Sequence, residues 1–182
     1  GKSATPRASS DTGPGAFHPS QPFTLGAELE LMVLDGTSGQ LASESPALLQ
    51  ALEGRARATS VKAEITQSMI KVNSGVHSTA DSLETELREI CACLRAAADG
   101  QGLALSGGGA HPFRDWPQRD IFPDERFDRL HETYGYLVKQ FTVFGLHVHV
   151  GVTSADDAIY LTHVFNCLVP HFMALAASSP FQ

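Results

Sequence analysis

Polar and apolar residues alternate along two stretches of the chain with the period of a strand. In GAELELMVLD, residues 26–35, Leu25, Ala27, Leu29, Leu31 and Val33 fall on one face, and Glu28 and Glu30 on the other. Met32 and Leu34 continue the acidic face, so it is more than the wet side of an amphipathic strand. Carboxylates placed there need cations or donors to offset their desolvation. In GLHVHVG, residues 145–151, Leu146, Val148 and Val150 point one way and His147 and His149 the other. The two imidazoles share a face, with Cβ atoms roughly 6.5–7 Å apart. That spacing suits one polyanionic ligand or a small metal cluster, but taken alone such a pair more often lines the wet face of a half-buried sheet.

The remaining pattern predicts the elements around these strands. Pro46–Leu52 reads as a short helix after a turn at Gly36–Gly39. Residues 60–73, SVKAEITQSMIKVN, read as a single second strand ended by Ser74 and Gly75. A helix follows, capped near Ser78 and Asp81 and closed by Gly100, with Leu83, Leu87, Ile90, Cys91, Leu94 and Ala97 at helical spacing. Leu103–Ser106 form a short strand, and residues 124–140 a helix whose stripe is Phe127, Leu130, Tyr134 and Leu137. The histidine strand is expected over 141–152. A last helix starts at Ser154, Asp156 and Asp157 and is expected to break or restart near Pro170. The order lacks strict strand–helix alternation and predicts an α+β fold with a largely antiparallel sheet and helices packed on one side.

Residues 1–22, rich in Pro, Gly and Ser, read as a flexible tail, so that the ordered unit spans 23–182. With 13 Lys and Arg against 20 Asp and Glu, the net charge of −7 provides no general attraction for nucleic acid or an anionic membrane. No apolar run approaches the roughly 20 residues of a membrane span and no stretch resembles a signal peptide, a pattern that predicts a cytoplasmic protein. Cys91, Cys93 and Cys167 are read as reduced packing residues.

Chemistry concentrates where a core should be forming. Glu28, Glu30 and Glu64 supply oxygens that suit a hard divalent cation such as Mg²⁺, whereas the cysteines lack the spacing of a structural zinc site. The glycines of GGGAHPF, residues 107–113, allow close approach to a ligand, but the segment has no P-loop ending. His111 within it is either a site residue or a loop-anchoring hydrogen bonder. Arg114, Arg119 and Arg126 are candidates for carboxylate or phosphate contacts, with solvent exposure as the default for each.

Together GAELELMVLD, EITQSMIKVNSGV, SGGGAHPFRDW, ERF, GLHVHVGV and LVPHFMALAASSPF resemble, in order, the motifs of the type 2 glutamate-cysteine ligase family of ATP-dependent carboxylate–amine ligases. The resemblance implies a glutamine-synthetase-like catalytic core in which acids and histidines hold Mg²⁺ around the phosphates of ATP. A substrate carboxylate, such as that of glutamate, would be phosphorylated to an acyl phosphate and captured by an amine. By the same resemblance Glu28, Glu30, Glu64 and His147 match metal-site residues, and His149 and His111 are assigned to the nucleotide side. The acids and His147 are therefore expected in one concave cluster. Two departures stand out: the family domain continues past SSPF, and Lys71 replaces an acid usual in the family, where its ammonium would repel Mg²⁺ and either pairs with the neighbouring carboxylates in place of a cation or, on a regular strand, points away from Glu64. This chain is accordingly read as an N-terminal portion of the catalytic domain, with an incomplete core that invites homo-oligomeric association. The rival readings are an inactive homologue or fragment serving as a binding module, and a metallohydrolase using the histidine pair.

Overall fold

The computed structural model describes residues 15–113, 119–141 and 143–177. Arg114, most of the expected tail and the closing SSPF lie outside them. Five strands form one sheet: β1 (Leu25–Asp35), β2 (Val61–Ala63), β3 (Met69–Asn73), β4 (Leu103–Ser106) and β5 (Leu146–Val150). Four α-helices accompany it: α1 (Ser45–Leu52), α2 (Ala80–Asp99), α3 (Glu125–Tyr134) and α4 (Ala155–Leu175). All pairings are antiparallel, and β1 is the spine. One of its edges takes β3, which in turn carries β2; the other takes β5 along Leu25–Leu29 and then β4 along Met32–Asp35.

The alternation read in β1 decides what each face meets. Leu31 and Val33, with Ile70, Val72 and Val61, pack beneath α1 and α2, where Leu48, Leu52, Ile90 and Leu94 are wholly or almost wholly buried. Each such side chain contributes on the order of 2 kcal/mol relative to exposure. The opposite face is divided. At the Met32 and Met69 end it is covered by Phe127 of α3, Val138 and Phe144; at the Glu28 end no helix among the described residues covers it. α1 and α2 therefore pack on one side as expected, whereas α3 and a 3-10 segment, Gly135–Phe141, close part of the other.

Several elements differ from the sequence expectation. Residues 60–73 are a β2–β3 hairpin, because Glu64–Ser68 leave the sheet: Gln67 N donates to Asp120 O and Phe122 N to Ile65 O. The helix expected over 124–140 stops at Tyr134, where Gly135 adopts φ 57°, a conformation that glycine enters without a Cβ penalty. Thr79, between the two expected cap residues, caps α2 by accepting from Ser82 N, and α4 begins as read, with Ser154 Oγ accepting from Asp157 N. Pro170 does not break α4, which runs through to Leu175. By length and composition alone α4 could cross a membrane, although Thr162, His163, Asn166 and His171 interrupt its apolar run. No residue of α4 is buried, and Phe165, Phe172, Met173 and Leu175 are all exposed. The end of the expected tail is tied down, since Ser20 N donates to Val152 O and Phe23 N to Gly151 O.

Candidate functional site

Register brings the acids and histidines together. Glu28 lies opposite Asn73 on β3 and His147 on β5; Glu30 lies opposite Lys71, and Gly26 opposite His149. Directly opposed residues of an antiparallel pair share a face, so Glu28, Glu30, Lys71, Asn73, His147 and His149 project from the half of the sheet that no described helix covers. The hairpin adds Glu64 from just beyond β2, on the face of Lys71. Glu28 and His147, expected in one cluster, are within 3.4 Å of each other (Oε2 to Nδ1), and His149 Nε2 stands 3.9 Å from Glu28 Oε1. Exposure rises across the group, from 13% for the side chains of Glu30 and Glu64 to 61% for that of His149.

At the buried end stands Lys71. Its Nζ is 2.5 Å from Glu64 Oε1, 3.4 Å from Glu28 Oε2 and 3.9 Å from Glu30 Oε1. The hairpin brings Glu64 and Lys71 to one face without the bulge that a single regular strand would have required. Burial pulls the Lys71 pKa down, but its hydrogen bond to Glu64 and the charges of Glu64 and Glu28 outweigh this and leave it above the usual lysine value. For Glu28, burial pushes up, while the His147 hydrogen bond and the Lys71 charge prevail and hold it below the usual glutamate value. The other carboxylate oxygens are partly engaged: Glu30 Oε2 accepts from Gly145 N at 3.0 Å, and Glu64 Oε2 from Ile65 N at 3.1 Å.

Asn73, not singled out from sequence, shares this face beside Glu28, and its Oδ1 is buried without a hydrogen-bond partner among the described residues. Its signal was available, since Met69, Lys71 and Asn73 alternate with the core residues Ile70 and Val72. Beside Glu64 an open cleft of about 760 Å³ runs along α3, lined also by Ile65, Arg126, Arg129 and Thr133. Arg126 rests over the Phe127 ring at 4.4 Å. His111 is not brought to the cluster. It is buried, its Nε2 hydrogen-bonds Gly39 O at 3.0 Å, and Phe113 N donates to its Nδ1, which is the loop-anchoring alternative. Gly39 follows the end of β1 remote from Glu28, more than about 20 Å along the strand. Arg119, expected in solvent, is buried, with Nη1 3.5 Å from Lys139 O. All three cysteines are free, and burial pushes the Cys91 thiol up.

A divalent ion does not fit between the three acids as they stand. Mg²⁺ takes oxygens at about 2.0–2.1 Å, but here the carboxylates converge on an ammonium. Among the described residues no group of three or more His, Cys, Asp or Glu is placed to hold one ion.

The comparisons with known proteins agree with one another. A family model described as glutamate-cysteine ligase family 2 matches residues 24–182. A Bordetella avium (strain 197N) protein named "Putative glutamate--cysteine ligase 2" is 49% identical over 166 residues, which are 91% of this chain and 41% of that protein. The Ralstonia pickettii (strain 12J) protein of the same name is 46% identical over 165 residues, 91% of this chain and 44% of its own length. The chain thus spans less than half the length of these relatives. Among solved structures, the glutamate-cysteine ligase of Francisella tularensis in complex with AMP aligns over 82% of this chain and 31% of its own, with a TM-score of 0.55 and 14% identity. At that identity the likeness speaks for the fold.

Proposed function

The chain belongs to glutamate-cysteine ligase family 2, and from that membership we propose that it forms part of the catalytic domain of an ATP-dependent carboxylate–amine ligase. The observation that carries the reading is the gathering of Glu28, Glu30, Glu64, His147 and His149 on one uncovered half of the sheet, which serves as a wall of the nucleotide site. In this reading a carboxylate oxygen of a small acid such as glutamate attacks the γ-phosphorus and the bond to ADP breaks. The amine then displaces phosphate from the acyl carbon. Phosphoryl transfer asks the protein mainly for positioning and charge neutralisation. His147, hydrogen-bonded to Glu28 through Nδ1, presents its Nε2 to a phosphate oxygen; the more exposed His149 extends that edge. The cleft beside Glu64 has Arg126 and Arg129 on its wall and accommodates a carboxylate substrate. Of the residues expected to hold Mg²⁺, Glu28, Glu30, Glu64 and His147, the three acids face Lys71 instead.

Calorimetric titration of ATP into the chain, with and without Mg²⁺, tests this. Saturable binding weakened about ten-fold or more by His149→Ala is expected from the loss of one charge-assisted phosphate contact. No saturable binding under either condition sinks the proposal. One observation, Lys71 among the acids, favours a second reading as an inactive, nucleotide-binding homologue. Failure of a longer protein carrying this segment to release ADP with glutamate and a panel of amines, despite nucleotide binding, would decide for it.

A further inference from the structure

Lys71 has three N–H donors, and three carboxylates stand around it. Each is presented by a different device. Glu30 is opposite Lys71 across the β1–β3 ladder, Glu28 is two residues further along β1, and Glu64 enters because the hairpin turn follows β2 at once. Two of the acids divide their oxygens between the ammonium and the backbone: Glu64 offers Oε1 to Lys71 and Oε2 to Ile65 N, and Glu30 offers Oε1 to Lys71 and Oε2 to Gly145 N. The inward oxygens, those a metal ion would need, are the ones that Lys71 takes. Three carboxylates less one ammonium leave a formal charge of −2, the charge that four carboxylates around a divalent cation would also leave.

We propose that Lys71 is the resident cation of this pocket, and that its ammonium holds the position among Glu28, Glu30 and Glu64 that a divalent metal would otherwise take, excluding metal from it. The inference concerns the same face as the proposed ligase function but rests on the ion geometry alone. An ammonium within 4 Å of all three acids cannot share them with a divalent ion without either leaving or repelling it. Burial of four-fifths of the Lys71 side chain makes leaving costly.

Mn²⁺, followed by the loss of its free-ion paramagnetic resonance signal, is the probe, titrated into the 182-residue chain. The wild-type chain is expected to bind no Mn²⁺ that Glu64→Gln abolishes. Lys71→Glu is expected to gain one Mn²⁺ per chain, lost again when combined with Glu64→Gln. Lys71→Gln, which removes only the competing charge, is expected to tighten Mn²⁺ binding about ten-fold or more over wild type. Far-UV circular dichroism confirms that each variant is folded, and where Lys71→Glu is not, Lys71→Gln decides. A Glu64-dependent Mn²⁺ already bound by wild type, or Lys71→Gln binding no tighter than wild type, overturns the proposal. ATP titrations without metal keep the two ideas separate, since loss of nucleotide binding leaves the Mn²⁺ result standing.

Discussion

On the open face of the sheet one ammonium, Lys71, stands among three carboxylates, whereas where β3 hands over to α2 one carboxylate, Glu86, stands among three donors. Glu86 accepts from His77 Nε2 at 2.6 Å, Gly75 N at 2.7 Å and Arg57 Nη1 at 2.8 Å. Its pKa is held below the usual glutamate range first by the His77 hydrogen bond and then by the Gly75 N–H. The two clusters are near inverses in composition, with opposite balances of charge. Around Glu86 donors meet acceptors, and the cluster pins the β3–α2 connection to the helix. Around Lys71 negative charge is left over, beside two exposed histidines and an unpartnered amide oxygen. A balanced cluster holds structure together; the surplus in the other is left for a hydrogen-bond donor.

The comparison breaks most visibly at Lys71. Lys71→Met leaves three part-buried carboxylates facing one another, and at pH 7 urea denaturation should show a loss of about 2 kcal/mol or more. That deficit should shrink in acid, as pH falls through the lowered folded-state pKa of Glu28 and its contribution to the wild-type cluster is lost; an unchanged midpoint at pH 7 would mean that the ammonium holds nothing. Glu86→Gln comes next, at about 1–2 kcal/mol for lost charge-assisted hydrogen bonds. Because the folded-state pKa of Glu86 is lowered, its contribution is present above the ordinary glutamate pKa of roughly 4.3 and is lost as pH falls through the lower folded value. The variant's acid limb should therefore be flatter, and identical limbs for the two proteins would remove Glu86 as their cause. Smallest is Arg57→Ala. Its side chain is 41% exposed, and the melting midpoint should stay within the scatter of replicates, because solvent already screens its ion pairs.

Alternation along β1 and β5 showed which acids and which histidines share a face, because a period of two is a local property of the chain. That Glu28 would face His147 was not local: they are 119 residues apart, and only the family's motif order suggested it. The single strand expected over residues 60–73 failed for a related reason. EITQS contains no glycine, proline or asparagine to announce a turn, and the turn exists because Asp120–Phe122 supply its hydrogen bonds from elsewhere. Gly135, by contrast, was visible and under-read, since an isolated glycine within a helical pattern is often tolerated. His111 was ambiguous because a histidine next to a glycine loop looks the same whether it holds a ligand or the loop.

The way β1 collects its partners also sets an order of assembly. Glu28 meets Asn73 by closing a loop of some 45 residues, and meets His147 only after 119; longer closures cost more entropy and contribute late. During synthesis Lys71 emerges well before His147. Lys71 and its three acids all lie within residues 28–71, so the charge of the pocket is offset by its own segment of chain and does not wait on the histidine strand for a counter-ion.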